Sequence, residues 1–139
     1  MSVTTISEAL RNRVRARAAG CCEYCGLHQD DAFEAHEADH IIAEQHRGET
    51  TGENLAFACW ECNRRKGPNL SSIDPQSGEI TRLFNPRRDR WGDHFGLEGA
   101  RILPRTAVGR ATVALLRLNS KENLTLRAAL CEIGRYPMR

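Results

Sequence analysis

At 139 residues, with 40% hydrophobic, 6% aromatic and 27% charged residues, the chain has the size of one domain with a modest core that a structural metal would help to hold. It contains no run of about 18 apolar residues, which excludes a membrane-spanning helix. Its N-terminal stretch lacks the apolar core and cleavage site of a signal peptide, so a cytoplasmic protein is expected.

The net charge of +2 is unevenly divided: residues 23–61 hold ten acids against one base, Arg47, and residues 62–139 hold fifteen bases against seven acids. A basic frame around an acidic centre suits a protein that holds polyanionic phosphate and offers it metal-binding carboxylates; a solvated surface gives the same pattern. The bases are eighteen Arg and two Lys, and the arginine fork grips phosphate at two points.

In chain order, residues 6–19 predict an amphipathic helix, with Ile6, Leu10, Val14 and Ala18 as its apolar stripe, Thr5 or Ser7 as its cap and Gly20 as its end. Cys22-Glu23-Tyr24-Cys25 is a tight cysteine turn. Phe33 to Ile42 is strand-like, 43–53 reads as a long loop, and Leu55 to Cys59 is a short second strand. Trp60 to Lys66 resembles a helix stopped at Gly67-Pro68. The turn chemistry of Ile73-Asp74-Pro75-Gln76-Ser77-Gly78-Glu79-Ile80 predicts a hairpin. Thr106 caps a helix running to about Leu118, with Val108, Thr112, Leu115 and Leu116 as its buried side. Ser120 caps a last helix ending near Gly134. With no internal repeat or low-complexity linker, one α+β domain spanning 1–139 is the simplest organisation.

Two CxxC pairs, Cys22/Cys25 and Cys59/Cys62, lie 33 residues apart. Each CxxC turn offers two thiolates to one side of a tetrahedron, and two such turns complete a structural Zn²⁺ site. A redox CxxC, or cysteines serving as small core residues, are the plainer explanations. Of the two left over, Cys131 fits an apolar helix face as a core residue, and Cys21 could compete with Cys22 as a ligand.

Between the pairs sit Asp39-His40-Ile41-Ile42 and Asn54-Leu55, and Asn63 directly follows the last cysteine. Phosphodiester hydrolysis needs a base for water, a cation on the phosphate and a group that fixes the base. Asp39 and Asn63 supply hard oxygens, and His40 is a residue type that can act as a base. Singly, each has a simpler explanation: a hydrogen-bonded His, a turn Asn, a helix-capping Asn.

Taken together, Cys22-x2-Cys25, Asp39-His40-Ile41-Ile42, Asn54-Leu55 and Cys59-x2-Cys62-Asn63-x2-Lys66-Gly67 resemble the motif of the HNH endonucleases with their zinc cysteines. The resemblance covers about residues 20–68 and leaves 69–139 as a C-terminal extension of a hairpin and helices. It implies a ββα-metal core with one catalytic divalent ion, Mg²⁺ or Mn²⁺, and a nucleic-acid substrate, most simply DNA. Carried across, His40 would be the general base and Asn54 would orient it. Asp39 and Asn63 would bind the metal, and Lys66 would touch phosphate.

The chain has Asn63 where many relatives have His. Asp39 and His40 are neighbours, so they serve one site only if the strand ends or bulges there; His36 and His46 stand close enough to replace His40. Arg87, Arg88 and Arg90 beside Trp91 could track a nucleic-acid backbone, or pair with acids. A zinc module that binds nucleic acid without cutting it, and a thiol redox protein, are the competing functions.

Overall fold

A computed structural model describes residues 5–138 of the chain. Among them α1 (Glu8–Arg17), β1 (Glu37–His40), β2 (Leu55–Ala58), α2 (Trp60–Lys66), β3 (Ser71–Ile73), β4 (Ile80–Arg82), α3 (Trp91–His94), β5 (Phe95–Glu98), β6 (Arg101–Pro104), α4 (Ala107–Leu116) and α5 (Lys121–Glu132) follow in order. The strands form three separate two-stranded antiparallel ribbons, β1–β2, β3–β4 and β5–β6. The fold is therefore mixed α and β. Among the described residues no helix is long and apolar enough to cross a membrane.

Ser7 caps α1, its side chain accepting from the Leu10 amide at 3.1 Å. The buried stripe of α1, Val14 with Ala18 just beyond the last turn, packs on Leu55 and Phe57 of β2. Arg11, Arg13 and Arg15 stay exposed. Every residue of β2 is buried, because the strand is covered on both sides. Leu55 and Phe57 face α1, and Ala56 and Ala58 face the opposite core. Alternation then divides β1 as well: Glu37 and Asp39 pair with Ala58 and Ala56, while Ala38 and His40 pair with Phe57 and Leu55. The small alanines leave room for a carboxylate and a helix on that face. The strand is shorter than the expected 33–42, and it ends at His40.

The β3–β4 ribbon forms where turn chemistry placed a hairpin, with Ile73 opposite Ile80. Its Asp74 side chain accepts from the Gln76 amide at 2.9 Å and from Ser77 Oγ at 3.0 Å, and takes the Arg110 guanidinium through two 2.9 Å bonds. The β5–β6 ribbon was not anticipated. A two-residue loop joins it, and its first residue, Gly99, has φ +60°, a hairpin geometry that favours glycine.

Thr106 caps α4 by accepting from the Gly109 amide at 3.0 Å. The buried face of α4 is Gly109, Ala111, Thr112 and Leu116, with Val108 and Leu115 only partly buried. The helix is rolled onto Gly109 because a Cβ there would lie 2.3 Å from the His94 carbonyl oxygen. Ser120 caps α5 as expected, but Cys131 is partly exposed rather than core.

One apolar cluster joins the two parts of the chain: Cys22, Tyr24, Cys25, Ala56, Ala58, Cys59 and Cys62 pack with Phe84, Phe95, Ile102, Leu116 and Leu118. Phe84 and Phe95 meet edge to face at 5.3 Å, and Trp91 lies 5.1 Å from Phe95. The Trp91 indole N–H donates to the Tyr24 carbonyl at 2.9 Å, so the extension grips the first cysteine turn directly.

Candidate metal centre and active site

The four CxxC cysteines are all buried, and their sulfurs lie within 4.8 Å of one another. Cys25 Sγ and Cys59 Sγ are 3.8 Å apart, matching the edge of about 3.8 Å of a tetrahedron with Zn–S arms of about 2.3 Å. Backbone amides turn inward to the sulfurs: Cys25 N–H to Cys22 Sγ at 3.5 Å, and Cys62 N–H to Cys59 Sγ at 3.4 Å. Cys59 is thereby also the N-cap of α2. Burial opposes ionisation of Cys22, but S–H bonds from Cys25, Cys59 and Cys62 outweigh it and hold that thiol well below its ordinary range. Contacts with Cys22 and Cys59, and for Cys62 also that with Cys25, push the Cys25 and Cys62 thiols up, with burial adding to it. One thiolate shared by its neighbours suits a cation that would displace the remaining protons. Four soft donors in this arrangement are compatible with zinc. Cys21 is buried outside the cluster, its backbone paired with His28 in an isolated antiparallel bridge.

Beside this cluster, Asp39 is 7% exposed and Lys66 2%. Lys66 Nζ lies 3.1 Å from Asp39 Oδ2 and donates to the His40 carbonyl at 3.0 Å. The Tyr24 hydroxyl donates to the same Oδ2 at 3.3 Å. Burial raises the Asp39 pKa against the pull of the Lys66 ammonium, and burial, then the Asp39 charge, raises that of Tyr24. Both inward partners thus converge on one carboxylate oxygen, and Oδ1 accepts no hydrogen bond among the described residues. Lys66, expected at a phosphate, instead serves Asp39 from inside the protein.

Asn63, one turn before Lys66 on α2, donates its amide N–H to Glu37 Oε2 at 2.6 Å. Glu37 lies on the Asp39 face of β1, so it is the Asn63 Nδ2, and not the amide oxygen, that points at its carboxylate. Sequence reasoning missed Glu37, although its place two residues before Asp39 puts it on the same strand face. It also missed Tyr24, the spacer residue within the first CxxC.

His40 lies on the other face of the ribbon, at the strand's end. Its Nε2 is 2.9 Å from Thr50 Oγ1 and 3.9 Å from Glu44 Oε1. The Asn54 side chain makes no hydrogen bond to the ring. Its Oδ1 accepts from the Ile42 amide at 2.9 Å, and its Nδ2 donates to the Ile42 and Glu49 carbonyls at 2.9 and 2.8 Å. His36, the alternative base, is buried with Nε2 at 2.7 Å from the Leu27 carbonyl and its ring against Phe57, which is a structural position. His46 sits exposed in a short turn.

Beyond the end of β1 opens a groove of about 440 Å³ whose walls include Ile42, Leu70, Arg82 and Arg88. Arg87 is tied to Glu23 and Arg82 to Asp89. The guanidinium groups of Arg88 and Arg90 are exposed and make no hydrogen bond or ion pair among the described residues.

Residues 22–69, about a third of the chain, match the family model described as HNH endonuclease. No curated protein matches the chain, and no solved structure does.

Proposed function

Starting from an HNH endonuclease domain at residues 22–69, we propose that the chain is a metal-dependent nuclease cutting phosphodiester bonds in DNA. His40 is its general base and Asp39 and Asn63 hold one catalytic Mg²⁺ or Mn²⁺ in a ββα-metal core. The four cysteines hold structural Zn²⁺, and the single domain spans 1–139. The observation that carries this is the half-committed Asp39 carboxylate, with Oδ2 filled from within by Lys66 and Tyr24, Oδ1 without a hydrogen bond among the described residues, and Asn63 bonded to Glu37 on the same strand face. An oxygen left without a protein partner is free to bind a metal ion or water.

The donor set, a carboxylate and an amide oxygen, suits a hard cation. When bound, the divalent ion neutralises the developing charge on the phosphate and on the leaving oxygen. His40 accepts a proton from water, and the resulting hydroxide forms a bond to phosphorus as a bond to an ester oxygen breaks. The departing oxygen takes a proton from solvent, and His40 returns its own. The guanidinium groups of Arg88 and Arg90, without a partner among the described residues, would meet the backbone of the nucleic acid, and Lys66 and Arg87 act structurally.

The test is nicking of supercoiled plasmid across Mg²⁺, Mn²⁺, Co²⁺ and Ni²⁺ by the wild-type protein, Asn63→Ala and Asn63→His. The wild type should favour Mg²⁺ and Mn²⁺, and Asn63→Ala should lose most activity with every metal. Asn63→His should shift the order towards Co²⁺ and Ni²⁺, since imidazole is the softer ligand. DNA binding without nicking in any metal would favour the non-catalytic zinc module. Wild-type rate and metal order in Asn63→Ala would reduce Asn63 to a helix residue.

A further inference from the structure

We propose that Thr50 and Glu44 orient the His40 ring through a hydrogen-bond chain, His40 Nε2–H to Thr50 Oγ1 to Glu44, which leaves Nδ1 as the basic nitrogen. The inference deepens the nuclease reading and rests on His40 being its base. The direction of the chain follows from its last member. A carboxylate only accepts, so the Thr50 hydroxyl proton points to Glu44 Oε1, 3.4 Å away. Its oxygen is then the acceptor for His40 at 2.9 Å, and the proton of that bond must sit on Nε2. Nδ1 keeps its lone pair. When Nδ1 takes the proton of water, the ring becomes an imidazolium with Glu44 Oε1 at 3.9 Å, a carboxylate placed to stabilise the new charge.

The loop is built to hold Thr50 there. The Asn54 side chain ties the Ile42 peptide and the Glu49 carbonyl together, the latter adjacent to Thr50, and its carbonyl accepts from the Ile41 amide at 2.8 Å. A Cβ on Gly48 would lie 1.6 Å from the Ile42 carbonyl oxygen, so the loop closes tightly on the residues after His40. Asn54 therefore acts on His40 at one remove: it fixes the loop, and the loop presents the hydroxyl.

The experiment compares Thr50→Val, Thr50→Ser and Glu44→Gln in the full-length protein. One readout is the His40 imidazole N–H resonance, identified by its loss in His40→Ala. Others are kcat and KM for plasmid nicking, Mn²⁺ affinity by calorimetry and the thermal midpoint. In the wild type an exchange-protected Nε2–H should be visible. Thr50→Val should lose it and lower kcat about 10–100-fold, the usual effect of removing an orienting partner. KM, Mn²⁺ affinity and thermal midpoint should stay within twofold or a few degrees of wild type. Thr50→Ser should restore both the resonance and the rate, and Glu44→Gln should lower kcat less. A Thr50→Val protein that keeps the protected proton and the wild-type kcat overturns the proposal, as does a Thr50→Ser protein no better than Thr50→Val. If the wild type cuts nothing, the nuclease reading fails, and the resonance alone still decides whether Thr50 holds the ring.

Discussion

Phe95→Ala probes whether the extension and the cysteine site fold as one unit. Phe95 is 1% exposed and stacks between Phe84 and Trp91 at 5.3 and 5.1 Å. Truncating so buried a phenylalanine costs about 3–5 kcal/mol in transfer and cavity energy. That is a large share of the roughly 5–15 kcal/mol by which a domain is stable, and for this length it lowers the thermal midpoint by roughly 10–20 °C. The cavity also removes the support of Trp91, whose indole bond to the Tyr24 carbonyl lies inside the first CxxC turn. The damage should therefore reach the cysteine site, whose last member, Cys62, lies 33 residues before Phe95. The assay is thermal unfolding followed by circular dichroism, with a chromogenic chelator reporting released zinc. Both signals should move down together in one transition. Zinc release at the wild-type temperature, with the helical signal of the extension melting separately below it, would refute the single-unit reasoning.

Cys59→Ser removes a soft ligand and weakens the cap of α2, since the Cys62 amide donates to that sulfur at 3.4 Å. It should give well under one zinc per chain by elemental analysis and no cooperative thermal transition, because structural zinc supplies on the order of 10 kcal/mol of folding energy. Asp74 sets part of the acid limit. The Arg110 guanidinium, against the opposing effect of burial, holds the Asp74 carboxyl well below its ordinary range. A depressed carboxylate pKa contributes stability above the unfolded value of about 3.9, and that contribution fades as pH falls below it. Asp74→Asn should thus lower the midpoint at pH 7, and its difference from wild type should shrink between about pH 4 and 2. A difference that stays constant over that range would show that the ion pair does not set it.

What was legible in the sequence follows physical range. The caps Ser7, Thr106 and Ser120, the β3–β4 turn and the cysteine turns are decided by residues a few positions apart, and all appear where local chemistry placed them. The paired cysteines and the HNH motif were legible because metal ligation imposes fixed spacings. The β5–β6 ribbon was hidden because its strands are four residues long and the adjacent apolar Ile102 and Leu103 break the alternation that marks a strand. The roll of α4 onto Gly109 depends on a backbone oxygen of His94, fifteen residues away. The inward turn of Lys66 was illegible for a similar reason. Nothing in Asn63-x2-Lys66 tells a phosphate contact from a counter-ion until β1 brings Asp39 and the His40 carbonyl to the ammonium. Thr50 likewise reads as any loop hydroxyl until the loop closes on His40.

The most direct test of the central claim is the metal-dependent nicking rate of His40→Ala beside the wild type, with zinc content and thermal midpoint measured on the same samples. A lost general base should lower the rate by about 10²–10⁴-fold. Zinc content and midpoint should stay nearly unchanged, because the His40 side chain lies on the far face of β1 from the cysteine cluster. Cleavage by His40→Ala at near the wild-type rate would contradict the assignment of His40 as the base.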